Sequence, residues 1–423
     1  MPVSKLRNLA IALVTGSSIL LGSTVQAQQT PPERLPIEEL RTFVEVLERI
    51  KQAYVEPIDD KTLLENAIKG MLGNLDPHSD YLSEKDFNEL HESTSGEFGG
   101  LGLEIGTDGE NLKIISPIDD TPAYKAGLQA GDLIVRIDGQ STQGMSLSDA
   151  VRKMRGQPGT SISLSIVRAT EQPFEVTIER ATINARSVRS QDLQDGYMLL
   201  RISQFQANTA ADAAQELKKF SSKQQINGLV LDLRNNPGGL LQAAVDVSDL
   251  FLQQGLIVYT KGNMAESRMD FSAGPRSMLP ATVPIVVLIN GGSASAAEIV
   301  AGALQDHRRA VLMGTESFGK GSVQTIVPLA NNDALKLTTA LYYTPSGRSI
   351  QAKGIKPDIR LEQATVTQQH RSNLKEADLD RHLQGQDTTA DKPDSKTSQL
   401  IEQDFQLSQA LSLLKGINIS RQH

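Results

Sequence analysis

One stretch of this 423-residue sequence is built to expose a hydroxyl. An apolar run at 285–289 leads into Asn290-Gly291-Gly292-Ser293-Ala294-Ser295-Ala296-Ala297-Glu298-Ile299. A strand, a glycine turn, small residues and then a helix would present a serine at a helix start. The unpaired N–H groups of a first helical turn can stabilise an oxyanion there, and the glycines and alanines leave room for a substrate backbone. Ser293 and Ser295 both fit this chemistry on local grounds. Either fits equally well as an ordinary helix N-cap.

A serine nucleophile needs a base. Of the six histidines, His307 lies twelve positions past Ser295, about 18 Å along a continuous helix, and so cannot reach the hydroxyl. His78 reaches it only through tertiary folding, and His370, His382 and His423 fall in a polar tail. The alternative is Lys320, in Gly314-Thr315-Glu316-Ser317-Phe318-Gly319-Lys320-Gly321-Ser322-Val323-Gln324. A lysine between two glycines is ordinarily a solvated loop residue, and it becomes a base only where burial holds the amine neutral. Its loop follows an apolar stretch at 310–313, a candidate strand beside 285–289. That pairing would bring the two loops to one sheet edge, where α/β sites form. There is no cysteine, which removes thiol nucleophiles and thiolate metal sites. No HExxH or other close metal-ligand spacing occurs, so neither a metal nor another cofactor is expected.

The elements that must position these residues can be read from periodicity. Short apolar runs at 229–233 and 285–289 read as strands buried on both faces of a largely parallel sheet. Helical stretches at 208–220, 240–252 and 294–304 alternate with them, which makes an α/β core. Upstream, alternating runs at 112–115, 133–137, 162–167 and 174–178, punctuated by Asp108-Gly109, Asp138-Gly139 and Gly156-Gln157-Pro158-Gly159, read as a compact β-rich module. Amphipathic stretches at 37–54 and 63–72 form a helical N-terminal region, broken by Leu75-Asp76-Pro77-His78. Beyond 361 the chain turns polar, with a short amphipathic piece at 374–383, and apolar spacing returns over 400–414 as a terminal docking helix.

Residues 1–27 combine Lys5 and Arg7 with an apolar run over 9–21 and a Val25-Gln26-Ala27 end, the pattern of a secretory signal peptide. An uncleaved anchor is the alternative reading, with an apolar run short for a span. Loss of the leader's two positive charges takes the formal net charge from −8 to −10, which disfavours nucleic acid and anionic membranes as partners. An exported chain without cysteine suits a bacterial periplasm.

Together, Asn290 to Ile299, Ala301-Gly-Ala-Leu-Gln-Asp-His-Arg-Arg-Ala310 and Ser317-Phe-Gly-Lys-Gly-Ser-Val-Gln324 resemble the carboxyl-terminal processing peptidases, or tail-specific proteases, over about 35–361. The resemblance implies Ser295, rather than Ser293, as nucleophile, Lys320 as general base and Gln324 as the residue orienting the lysine. It implies an oxyanion site of backbone N–H groups from Ala296 and from Gly238 or Gly239, in Leu233-Arg-Asn-Asn-Pro-Gly-Gly239. Glu298 and Asp306 also match, and a helical reading makes both structural. The implied fold is an α/β protease core with a ClpP/crotonase-like sheet, an inserted β-rich PDZ domain and helical N- and C-terminal segments.

The corresponding divisions are a signal peptide at 1–27, a helical region at 28–96, the PDZ domain at 97–181, the peptidase core at 182–362, and a linker with terminal helix at 363–423. Gly100-Leu101-Gly102-Leu103 resembles the carboxylate-binding loop of a PDZ domain, supported by Gly131 to Gly139 and Arg155 to Gly159. Such a loop holds a terminal carboxylate while the peptide adds as a strand. Arg155 is a candidate for coupling the PDZ domain to the catalytic loop near Gln324, with an exposed turn arginine as the alternative. Expected partners are envelope proteins bound by their C-terminal tails, a lipoprotein adaptor of the kind some relatives use, and further copies of the chain. The rival reading is a non-cleaving or latent PDZ scaffold that needs an activator.

Overall fold

The computed structural model describes residues 36–109, 111–118, 120–168, 172–184, 186–362, 364 and 404–422. The leader pattern of 1–27, the amphipathic piece at 374–383 and His370, His382 and His423 lie outside the described residues. Two compact units divide at Ala67 and Ile68.

The smaller unit contains the helix Ile37–Ala53 and the start of the helix Asp60–Gly73. The second helix opens three residues earlier than its apolar spacing suggests. Asp59 caps it by accepting from the Thr62 N–H at 2.9 Å and the Thr62 hydroxyl at 2.7 Å. Leu40, Phe43, Val44 and Ile50 have the expected helical spacing, yet all are exposed in this chain.

The larger unit is built on a six-stranded sheet, ordered Val188–Asp192, Tyr197–Ile202, Gly228–Asp232, Ile285–Ile289, Val311–Gly314 and Ile359–Arg360. All neighbours are parallel except the first pair. Gly228–Asp232 and Ile285–Ile289 are buried at every position. That burial explains why these strands read as continuous apolar runs rather than alternating ones. One face is covered by the helices Thr209–Ser221, Leu241–Asp249 and Ala296–Asp306. The helix Phe405–Gln422 covers the other, with Leu407, Leu411 and Leu414 packed on Leu199, Val230, Val286 and Leu288. Burying each such leucine is worth about 1.5–3 kcal/mol.

An antiparallel sheet carries the lysine loop. Its long strand Ala334–Tyr343 pairs with Ser322–Pro328, with Leu256–Gly262 and with the short strand Asp80–Leu82. The last of these pairings is absent from the sequence reading and places residues 76–79 beside Thr338. A third helix, Glu84–Ser95, also follows the predicted N-terminal pair.

The β-rich module is an antiparallel sheet ordered Leu103–Asp108, Asn111–Pro117, Leu133–Ile137, Ser161–Val167 and Phe174–Glu179. Its core holds Leu112, Ile114, Ile134, Ile162, Leu164 and Ile166. A two-stranded ribbon, Glu97–Gly100 with Ala181–Asn184, brackets the module. Among the described residues no helix is long and apolar enough to cross a membrane.

Candidate active site

Val286 to Ile289 pair in parallel with Val311 to Gly314, in a register that sets Ile289 opposite Gly314. The loops leaving both strands therefore emerge side by side, as the sequence suggests. Ser295, Ala296, Lys320, Gln324, Gly238 and Gly239 all line one cleft of ≈ 630 Å³. Its apolar wall includes Phe87, Leu90, Leu241, Ile299 and Val323.

The two serines part company on burial. Ser293 is fully buried, and its hydroxyl donates to the Leu233 carbonyl at 2.8 Å while accepting the Asn290 N–H at 3.0 Å. It is a strut. Ser295 faces the cleft at the N-cap of the helix Ala296–Asp306 with φ 55 and ψ −115. Caps ordinarily sit in the extended region. A non-glycine residue held at positive φ stores strain that persists only where its surroundings enforce it.

Glu298 supplies that enforcement. Its Oε2 accepts the N–H groups of Ser295 and Lys320, each at 2.8 Å. Its Oε1 accepts the Ser317 hydroxyl at 2.6 Å and the Gly319 N–H at 2.7 Å. Burial pushes this carboxyl up from the usual range, against four donors that favour the carboxylate. The role is invisible in sequence because three of the four donors lie on a different loop. The only local signal is the Ser295-to-Glu298 spacing of a capping box.

Lys320 is half-buried, and burial is the main cause of its lowered pKa. The nearby Lys336 ammonium lowers it further and Asp76 opposes. Tyr342 is buried beside Ser295, and its hydroxyl donates to the Lys320 carbonyl. Burial pushes that phenol far up, so it stays protonated.

Of the two turn glycines expected to offer an N–H to an oxyanion, one has its N–H free. The Gly238 N–H is already bonded to Asn236 Oδ1 at 2.9 Å, whereas neither Gly239 N–H nor Ala296 N–H meets an acceptor among the described residues. Gly238 is there for close approach. A Cβ built on it would lie 2.7 Å from Ser295 Cβ and 3.0 Å from the Ala296 nitrogen.

His78 also lines this cleft, and burial followed by the Lys320 charge lowers its pKa. His307 stands at the far end of the helix, bonded to the Leu256 carbonyl at 2.7 Å. Asp306 accepts the Ser346 N–H at 2.9 Å and pairs with Arg348, a structural role. Among the described residues no three or more acidic, histidine or cysteine side chains cluster so as to hold a metal ion.

Comparison with known proteins gives this geometry its family. The profile of peptidase family S41 matches residues 196–361, that of a PDZ domain residues 113–168, and that of the activating protease CtpB N-terminal domain residues 14–86. A carboxy-terminal-processing protease of Bartonella bacilliformis is 46% identical over 419 residues, spanning 96% of this chain and 95% of that protein. The chain is a carboxy-terminal processing serine protease of family S41. A carboxyl-terminal-processing protease of Synechocystis is 36% identical over 83% of this chain and 87% of its own length. Among solved structures, a photosystem II D1 C-terminal processing protease is 30% identical, covers 77% of this chain and 93% of its own, and gives a TM-score of 0.46.

The PDZ domain of this protease leaves Leu103–Asp108 as an open sheet edge. Ahead of it, the Leu101 carbonyl accepts from the Ala123 N–H at 2.9 Å, and the Gly102 carbonyl accepts from the Ile118 N–H at 2.8 Å. The N–H groups of Leu101 and Gly102 have no acceptor among the described residues. Gly100 ends the ribbon strand, and Leu103 starts the open edge.

Arg155 does not meet Gln324. Its guanidinium lies 4.6 Å over the Phe98 ring and 3.4 Å from Glu92. Gln324 shares the cleft with Lys320, but its amide donates to Ser322 and Thr338.

Proposed function

We propose that this carboxy-terminal processing protease is exported to the bacterial periplasm. There it captures protein C-termini in its PDZ groove and cuts by a Ser–Lys mechanism. The observation that carries the mechanism is the single cleft shared by Ser295, half-buried Lys320 and the N–H groups of Gly239 and Ala296. Neutral Lys320 Nζ takes the Ser295 Oγ proton as Oγ bonds to the scissile carbonyl carbon. The resulting oxyanion is held by the Gly239 and Ala296 N–H groups. Collapse breaks the C–N bond, and the Lys320 ammonium returns its proton to the leaving amine. Water then attacks the Ser295 acyl ester, with Lys320 again accepting the proton; collapse breaks the C–Oγ bond, releases the acid and returns that proton to Ser295 Oγ.

Support for tail capture comes from the open edge at Leu103–Asp108 beside the unpaired N–H groups of Leu101 and Gly102, a geometry suited to adding a peptide strand with its carboxylate at the loop. Support for export comes from the leader pattern and the absence of cysteine. The test is cleavage of a loosely folded protein bearing an apolar C-terminal tail, with free or amidated carboxylate. Wild type cuts the free-tailed protein best and S295A cuts neither. Equal turnover by S295A would overturn the Ser–Lys assignment, and equal turnover of the two tails would overturn tail capture.

A further inference from the structure

The Gln324 amide sits at the end of a hydrogen-bond chain whose direction follows from chemistry. Gln324 Nε2 lies 3.0 Å from Ser322 Oγ and 3.3 Å from Thr338 Oγ1. Thr338 Oγ1 lies 3.1 Å from Asp76 Oδ1. An ionised carboxylate only accepts, and a threonine hydroxyl has one proton to give. The Thr338 proton therefore goes to Asp76, and Thr338 Oγ1 is left as an acceptor. Whatever faces it from Gln324 must be the NH₂ group. The two ends of an amide are alike in shape, so it is the carboxylate at the far end of the chain that selects between them.

Asp76 is held ready for this task. Its Oδ1 also accepts the His78 N–H at 2.8 Å and the Ser79 N–H at 3.0 Å, and its Oδ2 accepts the Ser79 hydroxyl at 2.7 Å. Burial acts to raise this carboxyl, but the hydrogen bonds outweigh it and keep the group below the usual range, hence ionised at neutral pH. The Ser79 hydroxyl in turn accepts the Thr338 N–H at 3.1 Å, so the turn and the strand are pinned at two points. With its amide hydrogens directed to Ser322 and Thr338, Gln324 keeps Oε1 as the acceptor without a protein donor among the described residues. That residue lines the cleft that Lys320 also lines. Among the described residues no buried side-chain polar atom is left unpaired, so Oε1 is not sealed away.

We propose that Asp76 and Thr338 are positioning residues, which fix the Gln324 amide with Oε1 presented to the Lys320 amine. The inference rests on Lys320 being the base. A neutral amine has N–H donors and one lone pair, and a fixed acceptor for one N–H directs the lone pair toward Ser295. Asp76 stands more than two hundred residues from both catalytic loops in sequence and acts only through Thr338.

The test compares T338V, T338S and D76N with wild type, alone and in a Q324A background, by kcat and KM across pH on a tailed protein substrate. T338V removes the relay but keeps the Asp76 charge. It should lower kcat by about ten- to a hundredfold with KM little changed, the scale of a misplaced reacting group. Its ascending pH limb should move to lower pH, because an amide free to turn its NH₂ toward Lys320 disfavours the ammonium. The charges facing Lys320 from other elements, Lys336, His78 and Glu298, are untouched in this variant. T338S should recover most of the lost kcat, and T338V should cost nothing further once Gln324 is alanine.

Wild-type kcat and an unmoved limb in T338V, or full additivity with Q324A, would overturn the relay. T338A carries the same comparison should T338V not fold, whereas D76N also removes the charge that raises the Lys320 pKa and is read by kcat and additivity with Q324A rather than by its pH limb. S295A and K320R run alongside, and if either still cuts, the underlying Ser–Lys reading falls, a result distinct from failure of the relay alone.

Discussion

Glu298 Oε2 accepts the backbone N–H of Lys320 at 2.8 Å, and that same atom accepts the backbone N–H of Ser295 at 2.8 Å. One buried oxygen thus sets the spacing of the two loops through their main chains rather than through side-chain rotamers.

Replacing Glu298 with glutamine should therefore harm more than its near-identical shape suggests. Each carboxylate oxygen meets two donors, so whichever way the new amide turns, its NH₂ faces a pair of N–H or O–H groups. E298Q should lose about 2 kcal/mol of stability and about tenfold or more in kcat, read by thermal melting and turnover of one substrate. An unchanged kcat in E298Q would show that the clamp does not set the active geometry.

Lys320 is lowered first by burial and then by Lys336. The neutral amine therefore accumulates at lower pH than for a solvated lysine, and kcat/KM should rise with pH to a plateau. K336Q removes a like charge, so Lys320 should hold its proton to higher pH and the ascending limb should shift upward. K320R keeps the charge but cannot deprotonate, and its turnover should fall to that of S295A. A limb that stays in place in K336Q would contradict the assignment of that limb to Lys320.

Gly238 and Gly239 are predicted to fail differently. An alanine Cβ at 238 meets Ser295 Cβ and the Ala296 nitrogen at the mouth of the oxyanion site, whereas one at 239 lies 2.0 Å from the Phe205 carbonyl oxygen with φ at 141. Gly238 is also at positive φ (101), and its Cβ would lie 2.8 Å from the Ala294 carbonyl oxygen, so G238A should lower the melting temperature too, and its folded fraction should lose about a hundredfold in kcat. G239A should lose stability first, seen as a lower melting temperature before any kinetic comparison.

Arg234, two residues before the turn that bears these glycines, is gripped bidentately by Asp404 at 3.0 and 2.7 Å and also by Asp232. Burial acts to raise the Asp404 carboxyl, but the Arg234 bond outweighs it and holds the group below its usual range. A carboxyl depressed in the folded state adds stability that is present above its unfolded pKa and lost as pH falls through the folded one. D404N should cost about 1–3 kcal/mol at neutral pH. Its melting temperature should converge on that of wild type under acid conditions. A constant difference down to strongly acid pH would dissociate the effect from this ion pair.

Much of the core was legible because its determinants are local. The run at 285–289, the small residues after it and the neighbouring strand at 311–314 all announce themselves by pattern, and the helix at 241–249 differs from expectation only at its ends. Ser295 could not be told from Ser293 by spacing alone, since the distinction is burial. Nor could Gly239 be separated from Gly238, because that depends on the Asn236 side chain consuming one N–H. Glu298 and Asp76 escaped for a different reason. Their local bonds, to Ser295 for Glu298 and to His78 and Ser79 for Asp76, read only as a helix cap and a turn, while the partners that tie them to the cleft, the 317–320 loop and Thr338, are remote in sequence. Arg155 marks the opposite case, where a motif residue named for one partner sits instead on Phe98 and Glu92.

The open edge at Leu103–Asp108 has a cost that falls outside catalysis. An unpaired strand edge is a template for the edge of another molecule, the usual first step of aggregation. This one is interrupted by a register shift between Glu104 and Ile105 and carries exposed Glu104, while Asp108 at its end is paired with Lys113 at 2.9 Å. A short peptide can follow a kinked ribbon, but a rigid sheet cannot, and two such edges would bring their Glu104 carboxylates together. With tails adding to this edge as proposed, Glu104 should also turn away those rich in aspartate or glutamate, so one side chain would serve both against clumping and in the choice of substrate.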